Sequence, residues 1–118
     1  MKHFEQHEFD SPDLEGSGAL MDCDFLEKLQ RAREIADIPF KINSGYRTIE
    51  HNSTLENSKP NSSHLKGLAV DISCTDSRSR FFIVTSLLEA GFTRIGVGSS
   101  FIHVDADLEK SPNVIWTY

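Results

Sequence analysis

Residues 62–73 read Ser62-Ser63-His64-Leu65-Lys66-Gly67-Leu68-Ala69-Val70-Asp71-Ile72-Ser73, and the second part of this stretch alternates as a strand does. From Gly67 to Ser73, Leu68, Val70 and Ile72 fall on one face and Ala69 and Asp71 on the other, because successive strand side chains point to opposite sides of a sheet. Asp71 is therefore turned away from the apolar face. His64 precedes the strand, and the turn between them contains Gly67, whose backbone freedom permits a sharp return that brings both side chains to one side. Ala69 shares the face of Asp71 and is small enough to leave room beside it. Imidazole and carboxylate are ligand types of a zinc site, which holds them about 2.0–2.2 Å from the ion and, when hydrolytic, keeps one position open for water.

A third ligand has to come from a neighbouring strand, and Phe101-Ile102-His103-Val104-Asp105 supplies it. Residues two apart share a strand face, so His103 and Asp105 project together while Ile102 and Val104 point to the core. Two roles are open to Asp105: general base on the metal-activated water, or orientation of an imidazole from behind.

The rest of the chain supplies a scaffold for these two strands. Asp24, with Glu27 as its capping-box partner, predicts a helix over 24–36 whose inner face is Phe25, Leu29, Ala32 and Ala36, ending before Pro39. Pro39 to Asn43 reads as a short strand leading into the turn Ser44-Gly45-Tyr46-Arg47, in which Tyr46 packs. Thr48 to Asn61 is polar and holds Pro60, a loop or a short irregular helix. A second helix opens at Thr75 or Asp76, turns Phe81, Val84, Leu87 and Leu88 inward, and closes at Gly91. Thr93–Val97 and Phe101–Val104 form a hairpin about Gly98-Ser99-Ser100, and 113–118 reads as an edge strand with Trp116 as a packing residue. The first twenty residues, with Pro12, Gly16 and Gly18, form an extended arm pinned by Phe4, Phe9 and Leu14. The expected fold is α+β, one domain over 1–118, with two main helices on a mostly antiparallel sheet that carries the metal site.

Composition narrows the function. A net charge of -6, without a basic cluster, excludes a duplex nucleic-acid binder. No apolar run approaches the roughly 18 residues of a membrane helix, and the acidic opening MKHFEQHEFDSPD holds no apolar leader. Cys23 and Cys74 are far apart in sequence and read as unpaired, partly buried thiols.

Ser44-Gly45-Tyr46-Arg47-Thr48, the Ser-x-His-x-x-Gly-x-Ala-x-Asp pattern ending at Asp71, and His103-Val104-Asp105 together resemble the zinc D-Ala-D-Ala carboxypeptidase superfamily, over roughly Phe9 to Asp105. That superfamily includes phage endolysins cutting L-alanyl-D-glutamate bonds, vancomycin-resistance D,D-dipeptidases and the related metal fold of hedgehog signalling domains. The likeness is greatest to its small phage and bacterial branch. The resemblance implies that His64, Asp71 and His103 bind Zn2+ and that metal-bound water attacks a peptide carbonyl of bacterial peptidoglycan stem peptide. It implies that Arg47 neutralises developing oxyanion or substrate carboxylate charge, for which a guanidinium fork is suited. Ser62 or Ser63 is expected either to hydrogen-bond substrate or to shape the turn. His51 and Asn52 border the cleft, with His51 taken as a substrate contact.

One departure stands out: many members carry a catalytic glutamate three residues before the last histidine, and here that position is Ser100. Asp105 is then the leading proton relay, with Glu50, Asp107 and Glu109 in reserve. The expected function is a monomeric peptidase without membrane insertion, made in the bacterial cytoplasm as a phage or host product and acting at the cell wall. The alternative is a zinc-containing cell-wall or virion binding module without catalysis.

Overall fold

Asp22 opens the first helix by accepting a hydrogen bond from the Phe25 amide, and α1 runs Cys23–Ala36 in this computed structural model, which describes residues 2–55 and 58–118. The cap lies two residues before the expected Asp24, which instead stands in the first turn, where its charge complements the helix dipole. Phe25, Leu29, Ala32 and Ala36 form the buried stripe that the spacing predicts. Asp37, with a left-handed backbone, ends the helix ahead of Pro39. The polar stretch after residue 47 contains a short helix, α2 (Ile49–Thr54), capped by Thr48; residues 56 and 57 of the expected loop lie outside the described part.

The third helix, α3 (Ser77–Glu89), is capped by Asp76, and its buried residues are Ile83, Ser86 and Leu87. Phe81 and Leu88, expected inside, are 55% and 44% exposed. Two apolar stripes compete on this helix, and packing on α1 selects the one continued by Ala90, leaving Phe81 and Leu88 on the outer side.

Among the described residues five strands form one sheet: β1 (Ile42–Ser44), β2 (Ala69–Ser73), β3 (Arg94–Val97), β4 (Phe101–Asp105) and β5 (Val114–Thr117). Their order is β1-β2-β4-β3-β5, antiparallel except where β5 joins β3 in parallel at the edge. The fold is thus α+β with a mostly antiparallel sheet. Val70, Ile72, Ile95, Ile102 and Val104 are fully buried and meet Phe25, Leu29, Ile83 and Leu87 in the core. That face faces the helices.

The register fixes the opposite face. Ser44 pairs with Asp71, Asp71 with His103, His103 with Gly96, and Gly96 with Trp116, so one row crosses all five strands. Of the arm, Phe4 and Phe9 are buried as pins, whereas Leu14 is 49% exposed and Met21 is buried. Cys74 is buried, while Cys23 is exposed and not partly buried as expected; both are free thiols. No helix among the described residues is long and apolar enough to cross a membrane.

Candidate metal centre

The turn Ser44-Gly45-Tyr46-Arg47 is held by every one of its members. The Tyr46 amide donates to the Phe9 carbonyl at 2.9 Å and the Arg47 amide to the His64 carbonyl at 3.1 Å, which ties arm, turn and the His64 segment together. Gly45 permits this approach, since a Cβ there would stand 2.8 Å from the Phe9 Cα. The Gly45 carbonyl in turn accepts from His64 Nδ1 at 2.8 Å. A carbonyl can only accept, so Nδ1 carries the proton and the lone pair of His64 lies on Nε2, which faces Asp71 Oδ1 at 3.5 Å.

His64 itself lies in a single 3₁₀ turn, Ser63–Lys66, which Ser62 caps by accepting from the His64 amide. Gly67 closes the turn with φ of 70°. A Cβ at that position would collide with the Leu20 carbonyl, so the return from His64 into β2 requires glycine twice over. Asp71 then emerges on the face opposite Val70 and Ile72.

His103 stands opposite Asp71 in β4 and completes the group. Its Nδ1 lies 2.9 Å from Asp71 Oδ1, and its Nε2 lies 2.8 Å from Asp105 Oδ2. The donor atoms of His64, Asp71 and His103 all lie within 4.8 Å of one another. Two imidazoles and one carboxylate are the nitrogen and oxygen donor set that zinc accepts, and three protein ligands leave a position open for chemistry. The residues fit such an ion.

Charge is balanced around His103. Burial pushes its pKa down, but hydrogen bonds to Asp105 and Asp71 outweigh that and hold it above the ordinary imidazole value. For Asp71, burial raises the pKa, and the contacts with His103 and His64 bring it far below the usual carboxylate range. Asp105 is likewise pulled up by burial and brought below normal by His103, the Asp107 amide and Arg94.

Both oxygens of Asp105 are occupied: Oδ2 meets His103, and Oδ1 accepts from Arg94 Nε at 2.7 Å and from the Asp107 amide. This is the geometry of an orienting carboxylate behind an imidazole. Of the reserves, Asp107 is buried and bonded to Ser63 Oγ and Lys66 Nζ, while Glu109 is exposed and paired with Lys66. Glu50 is exposed on α2.

Arg47 stands beside the triad. Its Nη2 lies 3.4 Å from Asp71 Oδ2, Nε donates to Ser44 Oγ, and Nη1 donates to Asn52 Oδ1 at 3.3 Å. Asn52 is buried and anchored to the Lys59 carbonyl through Nδ2, so it positions the guanidinium. Its neighbour His51 contributes its amide to the Thr48 cap and no hydrogen bond to the triad. The Ser63 hydroxyl, expected either to hydrogen-bond substrate or to shape the turn, is buried and donates to Asp107 at 2.8 Å, bracing the chain on the far side of the turn. Ser62 shapes the turn as a cap.

The sequence reading left out Arg94, and it took Trp116 as a packing residue without placing it beside the site. Arg94 braces Asp105 and lies over the Trp116 ring at 5.0 Å, and that ring sits 5.5 Å from the imidazole of His103. The readable signal was the pairing of Gly96 with an edge strand, which needs the register to interpret.

Residues 2–105 match the sequence model of the family described as Peptidase M15. A search of curated proteins finds no match.

Proposed function

This chain belongs to the Peptidase M15 family, whose members are zinc-dependent, and on that premise we propose that it hydrolyses peptide bonds of bacterial peptidoglycan stem peptides. His64 Nε2, Asp71 Oδ1 and His103 Nδ1 are the atoms assigned to the ion. The observation that carries this reading is their convergence from a turn and two neighbouring strands, with the Gly45 carbonyl and Asp105 holding the outer imidazole nitrogens of His64 and His103.

Bound zinc supplies an activated water and polarisation of the scissile carbonyl. The chain's own residues do the rest. The Gly45 carbonyl keeps the proton on Nδ1 of His64, and Asp105 keeps the proton on Nε2 of His103. Arg94 holds Asp105 in place. Arg47, steadied by Ser44 and Asn52, offers positive charge to the oxygen that becomes negative or to a substrate carboxylate. Asp105 reaches the reacting atoms only through His103, so we assign it a positioning role.

Mass spectrometry of peptidoglycan digested by the zinc-loaded protein tests the substrate. A new amino terminus on D-glutamate marks an endopeptidase, and loss of terminal D-alanine marks a carboxypeptidase. No released peptide from several peptidoglycan chemotypes, at full zinc occupancy, overturns the assignment. Ser100 at the usual glutamate position supports a second reading, a wall-binding module without turnover. That protein sediments with peptidoglycan and leaves every peptide intact.

A further inference from the structure

The row of side chains that holds Asp71 and His103 does not end at the metal centre. It continues through Gly96 to Trp116 on β5, beyond residues 2–105 that match the family. Gly96 is the one position of the row without a side chain, and a Cβ there would stand 2.7 Å from Trp116 Nε1. The indole occupies that gap, leaning toward His103 with Arg94 over it.

Tyr118 follows two residues later. Its ring lies 6.4 Å from Trp116 and 5.0 Å from Phe101, whose own ring fills the space above Gly98. These three aromatics lie on the face of the sheet opposite the core, so they contribute nothing to the packing of α1 and α3. Tyr118 is 71% exposed, so its ring is open to a ligand. Along the row, His103 has Asp71 and Arg47 on one side and the aromatic group on the other.

We propose that Trp116 and Tyr118 are substrate-binding residues, an aromatic wall that seats the apolar side chain of a peptide residue beside the scissile bond, opposite the charge held by Arg47. The flat indole and phenol faces suit a methyl-sized side chain such as alanine together with its peptide plane. This rests on the peptidase reading above and deepens it by assigning the recognition surface.

The test compares zinc-loaded wild type with Tyr118→Ala and Tyr118→Phe on a purified muropeptide. Tyr118 is an exposed edge residue, so both variants fold, and zinc content is measured in each. Tyr118→Ala is expected to raise KM about tenfold with kcat little changed, while Tyr118→Phe keeps the stacking face and the wild-type KM. An unchanged KM in Tyr118→Ala overturns the proposal. Trp116 is the single tryptophan of the chain, so its emission reports binding independently of turnover. If wild type cleaves nothing, a saturable emission change with the muropeptide that weakens in Tyr118→Ala upholds the wall and rejects the hydrolase. The absence of any saturable change in the zinc-loaded protein rejects the wall.

Discussion

His103 is poised between two carboxylates, Asp71 at 2.9 Å and Asp105 at 2.8 Å, and the three titrate against one another. Before metal binds, this contact raises the imidazole pKa, so the ion must displace a proton from Nδ1. Zinc affinity should therefore weaken as pH falls through the raised His103 value, which a chelator-competition titration across roughly pH 5 to 8 measures. The metal-free protein behaves oppositely at this group. A raised folded pKa stabilises below the unfolded value of about 6.5, and the contribution is lost as pH rises through the folded one. Asp71 and Asp105 are depressed, so their contribution is present above about 3.9 and lost as pH falls through their folded values. Asp105→Asn replaces the charged acceptor that fixes His103 Nε2–H with a neutral amide and should weaken zinc binding by about 10- to 100-fold at neutral pH, read as a dissociation constant. At this scale the sequence shows the three converging side chains, because imidazole and carboxylate chemistry is written in residue type. It hides the Gly45 carbonyl, since every residue has one, and it hides the bond from Ser63 to Asp107, which joins residues far apart in sequence.

At the scale of elements, apolar spacing is legible where one stripe exists and misleading where two do. Helix α1 has a single stripe, Phe25, Leu29, Ala32 and Ala36, and all four are buried. Helix α3 offers Phe81 and Leu88 on one side and Ile83, Leu87 and Ala90 on another, and only tertiary contact chooses. The edge strand β5 is readable as a strand, but its parallel pairing with β3 depends on where the chain after β4 returns. Strand β2 with its entering turn is the element that sets the site. Gly67→Ala should destabilise by at least about 1–2 kcal/mol, the cost of a left-handed backbone for an L residue, with the collision at the Leu20 carbonyl added. Urea unfolding of the metal-free protein measures it, and an unchanged midpoint would contradict the role given to this glycine.

The whole molecule divides at the sheet: one face closes the core with α1 and α3, and the other carries a row from Ser44 to Trp116 that holds the chemistry. Because the proposed ligands come from the turn entering β2, from β2 itself and from β4, an ion at the centre links segments distant in sequence. Zinc at about 100 times its dissociation constant should stabilise the fold by about 2.7 kcal/mol, a rise of several degrees in Tm that His64→Ala abolishes. Calorimetry of both proteins with and without zinc reads it. The central claim is that one zinc ion at His64, Asp71 and His103 makes this fold a peptidase, and titrating the metal-free protein with zinc while following muropeptide hydrolysis tests it most directly. Activity should rise linearly to one equivalent, stop there, and be absent in His103→Ala at any zinc level. Hydrolysis that is independent of zinc, or that survives in His103→Ala, would contradict it.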